Sequence, residues 1–213
     1  MDCTASMGPW IHQAKTKLVD LVDEVCRQHP HANVQVSFVG YRDYDDDCVR
    51  MIEIPFQSAQ DTMAAIRDIE AEGGDDCAED VATGLFHALH MDWSNADVKF
   101  VFHVADAPAH GQAFHSANVS DRYPRGDPDG LDPRDSVEKF SFLDVHYTFV
   151  KIHPSTDTMI EVFHNCYSQG GTFRVIDLQP QRHVFDSPQT LDGELTRVIS
   201  ETLTQYYTVS PTL

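Results

Sequence analysis

Basic residues are scarce in this chain. Its 213 residues hold 15 lysines and arginines against 34 aspartates and glutamates, a formal charge of −19. So acidic a protein repels phosphate backbones and anionic lipid headgroups, which excludes nucleic-acid binding and membrane insertion as roles and leaves cations and basic proteins as partners. Cysteine is sparse too. Cys3, Cys26, Cys48, Cys77 and Cys166 are odd in number, widely spaced and without a CxxC pair, so a disulfide framework is not expected and a reducing, cytoplasmic setting is. No segment approaches ~20 consecutive apolar residues, and Met1 is not followed by a basic and then apolar leader. There is no GxSxG motif and no glycine-rich phosphate loop. What remains is ordinary for a globular domain: 41% hydrophobic and 23% charged residues, with no repeat or low-complexity linker, so residues 1–213 read as one domain.

Helical and strand periodicities alternate along the chain. Trp10, Ile11, Ala14, Leu18, Leu21, Val22 and Val25 share one face of a helix that ends near His29-Pro30. NVQVSFVGY (33–41) and RMIEIPF (50–56) read as strands, and the short acidic turn DYDDD between them favours an antiparallel hairpin. Helices are expected over 58–71 and 78–91. KFVFHVAD (99–106) is a nearly unbroken apolar run, expected to be a strand buried on both faces. A Gly/Pro/Asp-rich stretch follows over 107–135. VHYTFVKI (145–152) and TFRVIDL (172–178) read as strands, separated by a helix capped by Ser155. Ser187-Pro188 opens a last helix. Strands separated by helices give an α/β, Rossmann-like, doubly wound and mostly parallel sheet with helices on both faces. The first strand of such a sheet is usually central, yet the chain opens at its expected end, so a fragment or a misassigned start is anticipated.

Three oxygen-rich segments fall where open α/β sheets bind ligands, beyond the carboxyl ends of strands. Asp2-Cys3-Thr4-Ala5-Ser6 places a carboxylate and two hydroxyls at i, i+2 and i+4 in a turn, a hard-oxygen set suited to Mg²⁺, Mn²⁺ or Ca²⁺. Gly73-Gly74-Asp75-Asp76-Cys77-Ala78-Glu79-Asp80 is a glycine turn opening a helix, and Asp106 ends the apolar strand. Each alone also reads as a helix cap, a solvated turn or a turn aspartate. His110, His115, Asp121, Asp127, Asp129 and Asp132 in the long loop allow either a second ion or a hydrogen-bonded structural loop; the spacing is not that of an EF-hand. Twelve histidines are otherwise scattered, with His29/His31 and His87/His90 the tight pairs.

Taken in this order, the three segments resemble a von Willebrand factor A domain with its metal-ion-dependent adhesion site. The pattern implies Asp2, Thr4 and Ser6 as the first ligand element, Asp76 as the second and Asp106 as the third, with Thr4 in place of a serine and Asp76 where many relatives carry a threonine. Three carboxylates against a divalent ion leave a site near −1, which tightens ion binding and weakens the pull on a partner's carboxylate. Glu79, one helical turn beyond Asp76, offers either an intramolecular ligand or charge at the helix N-terminus, and Asp43 in GYRDYD offers support behind the ligands. GYRDYDD, GGDDCAEDVATGL, VFHVADAPAHG, DRYPRGDPDGLDP and STDTMIEVFHNCY are similar to the A domains that precede the kinase domain in alpha-type protein kinases; the likeness runs from Asp2 to about Leu178. It implies the strand order 3-2-1-4-5-6 and a missing central strand ahead of Asp2.

The reading that follows is a non-enzymatic, divalent-metal-binding protein-interaction module, regulatory or targeting in role. Two others compete with it. A metal-dependent phosphohydrolase with Asp2 as nucleophile needs a second acid two residues on, where Thr4 stands. A piece of a serine/threonine alpha-kinase is the other; no kinase phosphate loop follows residue 178, so the kinase domain is absent from this chain. Cys77, beside the two aspartates Asp75 and Asp76, lacks the electropositive setting of a thiolate nucleophile.

Overall fold

Gly8-Pro9 opens the longest helix among the described residues, α1 (Gly8–Gln28), with proline in its first turn, where the missing N–H is no loss. It closes at His29, whose N–H donates to the Val25 carbonyl at 2.9 Å immediately before Pro30. The computed structural model describes residues 1–44, 48–94 and 96–178. The expected helix at Ser187-Pro188 lies outside them. Strand β1 (Gln35–Tyr41) pairs antiparallel with β2 (Met51–Ser58), as the short connection required. Helix α2 (Ala59–Ile66) follows, capped by Ser58, and is shorter than the expected 58–71. Helix α3 (Val81–Leu89) is capped by Asp80, whose carboxylate accepts from Thr83 N at 3.0 Å.

Strands β3 (Lys99–Ala105), β4 (Val145–Lys151) and β5 (Phe173–Asp177) are mutually parallel. Between β1 and β3 lie the first three residues: Asp2 N donates to Val104 O at 2.9 Å, and Cys3 N to Tyr41 O at 2.9 Å. The spatial order is therefore β2, β1, Met1–Cys3, β3, β4, β5, which matches the expected order around a short central element. The expectation that β3 is buried on both faces holds only at its carboxyl end. Lys99–Phe102 are half-buried, because among the described residues the β1 side of β3 is met only near Val104.

Helices cover both faces of the sheet. On one, Val81, Leu85, Val137, Phe140, Met159 and Phe163 pack on Tyr41, Ala105, Val145, Tyr147 and Phe149. On the other, Val25 of α1 meets Val150 and Ile176, while Ile11 and Ile66 enclose Cys3 and Phe38. The alternation of Tyr147 and Phe149 against Val150 is the period-2 pattern of a strand facing two layers.

Two elements differ from expectation. Helix α4 (Pro133–Phe142) was not anticipated within and after the Gly/Pro/Asp-rich stretch; Asp132 caps it, accepting from Arg134 N at 3.0 Å, and Pro133 starts it. Helix α5 (Asp157–Cys166) begins behind a 3₁₀ turn at Pro154–Thr156, so Thr156 and not Ser155 precedes it. Asp132→Ala is expected to cost about 1 kcal/mol through loss of the cap, read as a lower midpoint in urea. The Arg134 guanidinium, which also holds the Asp132 carboxyl below its usual range, would lose its partner in the same variant.

Candidate metal centre

The segment after Asp2 folds back on the aspartate. Asp2 Oδ1 accepts from Thr4 N at 2.9 Å and from Thr4 Oγ1 at 2.7 Å; Thr4 Oγ1 lies 3.2 Å from Ser6 Oγ, and Ser6 Oγ donates to Asp106 Oδ1 at 3.0 Å. Residues 2, 4, 6 and 106, which the resemblance implies as ligands, thus form one chain of oxygens. Asp2 and Thr4 are wholly buried, Asp106 is half-buried and Ser6 is exposed, so the set opens to solvent at Ser6. Asp2 Oδ2 is removed from water and has no hydrogen-bond partner among the described residues. Burial, with the neighbouring charge of Asp106 second, pushes the Asp2 carboxyl up to about 7 against the hydrogen bonds from Thr4. A buried carboxylate oxygen with no donor, in an all-oxygen set that shares a locus with a second carboxylate, fits a hard divalent cation.

The glycine turn is wrapped around Thr4. Ala5 N donates to Gly73 O at 3.0 Å and Glu72 N to Cys3 O at 2.9 Å, while Gly73 and Gly74 adopt φ of 78° and 86°. A Cβ on Gly74 would lie 2.9 Å from Glu79 Oε1 and 3.1 Å from Thr4 Cβ, so the glycine is what lets the Glu79 carboxylate approach Thr4. Glu79 is buried, its N–H donates to Pro108 O at 2.9 Å, and its charge acts on Tyr41 together with those of Asp2 and Asp106.

Asp76 is placed differently from expectation. Its loop packs on residues 120–122, with Cys77 N donating to Ser120 O at 3.1 Å and Arg122 N to Asp76 Oδ2 at 2.5 Å. Burial raises the Asp76 carboxyl despite that bond, and the side-chain charges that act most on it are those of Asp43, His110 and Asp121. Asp43, expected as support behind the ligands, meets His110 Nε2 through its Oδ1 at 2.7 Å. The structure therefore sets the Glu79 carboxylate beside Thr4, and gathers Asp76 and Asp43 around His110.

Asp121 belongs to the same group. Its four hydrogen bonds come from His110 Nδ1 (2.9 Å), His115 Nε2 (2.9 Å), Gly111 N (2.8 Å) and Tyr123 N (2.7 Å). Burial works against these bonds, yet together they hold the Asp121 carboxyl below its usual range. Burial likewise lowers His110, but the carboxylates of Asp43 and Asp121 outweigh it and raise the imidazole to about 9. The other loop acids are structural: Asp127 accepts from Asp129 N and Leu131 N, and Asp132 caps α4. Arg50 pairs with Asp80 at 3.5 Å and Asp129 at 3.4 Å and sits 4.3 Å over the Tyr44 ring, tying the loop to the hairpin.

Residues 1–121 match the family of von Willebrand factor A domains. The chain belongs to that family. The alpha-protein kinase vwkA of Dictyostelium discoideum is 34% identical over 165 residues, which make up 76% of this chain and 26% of the kinase, so the chain spans about a quarter of that relative. Among solved structures, the SpRpn10 VWA domain superposes with a TM-score of 0.55 at 10% identity, covering 94% of this chain and 90% of that one. The pilus adhesin SpaC from Lactobacillus rhamnosus GG gives 0.59 at 12% identity over 94% of this chain and 29% of its own. At those identities the structural likeness shows the fold alone.

In this A domain, sequence reasoning missed two residues that hold the centre together. Buried Arg42 donates to the carbonyls of Cys3 (3.2 Å), Val49 (2.6 Å) and Glu70 (2.9 Å), fixing the segment that carries Asp2 and Thr4. Ser155 Oγ donates to Asp106 O at 2.7 Å and so anchors the strand end. Arg42 sits inside GYRDYD and was available as a signal, since a guanidinium between two strand-end motifs suits several carbonyls at once. Nothing local marks Ser155, whose partner is 49 residues away.

Proposed function

We propose that this A domain binds a divalent cation, Mg²⁺ or Mn²⁺ with Ca²⁺ as an alternative, and uses the metal-bearing edge to engage a protein partner. The observation that carries the reading is the buried, unpartnered Asp2 Oδ2 beside the Thr4–Ser6–Asp106 chain of oxygens, open at Ser6. Asp2, Thr4, Ser6 and Asp106 would hold the ion, with Glu79 close enough to Thr4 to add a third carboxylate. The bound ion supplies positive charge at the edge. The chain's own contribution is a rim of Asp75, Asp76, Asp127 and Asp129 that favours a basic or neutral contact over an acidic one. Complete burial of Asp2, with one oxygen occupied by Thr4, suits an ion ligand more than a nucleophile toward a phosphoester, so the role is non-catalytic. The likeness to an alpha-protein kinase supports a regulatory or targeting task alongside such an enzyme, inside the cell.

Titration with MgCl₂ or MnCl₂ is expected to raise the melting temperature by mass action, since the ion binds the folded protein alone. Asp106→Ala removes the increase while the domain still melts cooperatively. An increase of the same size in Asp106→Ala would place the ion elsewhere and overturn the assignment.

A further inference from the structure

We propose that Asp76, His110 and Asp121 form a second cation site, which takes Zn²⁺ in preference to Mg²⁺ and is separate from the centre at Asp2. One ligand atom from each of the three residues lies within 4.8 Å of the others. His110 Nδ1 and Asp121 Oδ1 are already 2.9 Å apart. Zinc bonds of about 2.0–2.1 Å in a tetrahedron set neighbouring ligand atoms ~3.3 Å apart, so the pair needs to open by only a few tenths of an ångström. Asp76 contributes an oxygen, Oδ1, that is removed from water and has no hydrogen-bond partner among the described residues, while its Oδ2 is fixed by Arg122 N. His115 Nε2, 2.9 Å from Asp121 Oδ2, stands next to the site as a second nitrogen within reach of a fourth ligand position.

The support behind these atoms is what a metal-bound histidine requires. The ring nitrogen turned away from the ligands, Nε2, meets Asp43 Oδ1 at 2.7 Å, an arrangement that fixes the ring and holds the proton on Nε2, leaving Nδ1 as the nitrogen that binds once it gives up its own proton. The His110 and Asp43 side chains are buried to within 2% and 1% of full coverage, so neither is a flexible surface group. Charge argues in the same direction. Three carboxylates, Asp43, Asp76 and Asp121, gather around His110, and one imidazolium leaves them in excess. Zinc binding replaces the proton on Nδ1 with a divalent ion, releases that proton to solvent and adds one positive charge to the cluster.

The donor set decides the metal. Imidazole with two carboxylates suits Zn²⁺ and its borderline neighbours, whereas Mg²⁺ keeps oxygen ligands and waters. The ligands come from three different segments: the glycine turn before α3, the start of the long loop and its middle, with the end of β1 behind them. A zinc ion would therefore cross-link the rim that surrounds the Asp2 centre, and it would do so whether or not that centre binds Mg²⁺.

The test uses the full chain, with MgCl₂ in excess so that the Asp2 centre is not available to zinc. Calorimetric titration with ZnCl₂ is expected to show one site, and Co²⁺ used as a probe is expected to give the absorption of a four-coordinate nitrogen–oxygen complex. Asp76→Asn, a change in a half-exposed loop, should weaken zinc by about tenfold or more, in line with loss of a single ligand or its support. It should leave the Mg²⁺-dependent rise in melting temperature intact, and Asp106→Ala should show the converse. His110→Gln should abolish the cobalt spectrum. If that variant does not fold, nitrogen NMR of the wild type decides the point: the His110 ring loses its Nδ1 proton on zinc addition and keeps Nε2–H. Unchanged zinc affinity in Asp76→Asn, or a His110 ring that retains both protons at saturating zinc, overturns the proposal.

Discussion

Gly84→Ala is expected to destabilise the domain by about 2–3 kcal/mol, although the same change in an exposed helix stabilises by up to ~1 kcal/mol. Gly84 lies inside α3, where alanine is the better helix former. The added Cβ would lie 2.5 Å from Tyr41 Cδ1, 3.0 Å from its Cγ and 3.2 Å from its Cβ. These atoms cannot swing aside, because Cβ is fixed by β1 and the hydroxyl is bonded to His103 at 2.9 Å. Helix α3 must therefore lift from the sheet, and overpacking outweighs propensity. At roughly 2–4 °C per kcal/mol for a chain of this size, the melting temperature should fall by about 5–10 °C. Gly8→Ala is the matched control. A Cβ there meets nothing within 4 Å, and the backbone is already helical, so that variant should be neutral or slightly more stable.

His103→Leu should cost about 2–4 kcal/mol, through the loss of two buried hydrogen bonds more than of packing. The imidazole joins Tyr41 OH at 2.9 Å to Tyr147 OH at 2.7 Å, and all three side chains are buried. Leucine fills most of the volume but leaves two hydroxyls in the core with no partner. Adding Tyr41→Phe and Tyr147→Phe to His103→Leu should recover much of the loss, because removing every polar partner together is far less costly than orphaning some of them. Denaturant unfolding of the single, double and triple variants measures this coupling. The acid response separates the explanations further. Burial, and next to it the ammonium of Met1, lower the His103 pKa well below 6.5, so the ring is neutral in the fold and the unfolded chain takes up the proton. Its contribution is complete above about pH 6.5 and is lost as pH falls, at up to about 1.4 kcal/mol per unit. Between pH 6.5 and 5 the His103→Leu variant should therefore lose stability less steeply than the wild type. Equal slopes would mean that His103 is protonated in the fold.

The chemistry at the strand ends was more legible than the elements around it. Asp2, Thr4, Ser6 and Asp106 were grouped by the resemblance, for which the spacing in a tight turn and the position at the end of an apolar strand were the local signals. Asp76 could not be distinguished from Glu79 on the same basis. The turn at Gly73-Gly74 runs through two positive φ values, and which carboxylate it delivers to Thr4 depends on that path, which residue order does not carry. The family's usual pattern favoured Asp76, whose Oδ2 accepts from Arg122 N in the long loop. Helix α4 was hidden for a different reason. Asp132-Pro133 is an N-cap and first-turn pair, but it follows GDPDGLDP, where every residue also reads as a turn. The hairpin and the apolar faces of α1 and α3 were legible because periodicity and burial agree in them.

Asp2 has a double duty. Its N–H carries the backbone contact to Val104, and its carboxylate belongs to the oxygen set with Asp106, while Cys3 completes the stitch to Tyr41. Parting the β1–β2 hairpin from the parallel strands would therefore draw apart the very groups proposed to share an ion. Ion affinity and the cohesion of the two half-sheets become thermodynamically linked, so that each tenfold excess of cation over its dissociation constant adds about 1.4 kcal/mol against that opening. In such an arrangement the metal concentration of the compartment sets how often this seam breathes, and with it how readily the backbone of the hairpin exchanges its hydrogens with water.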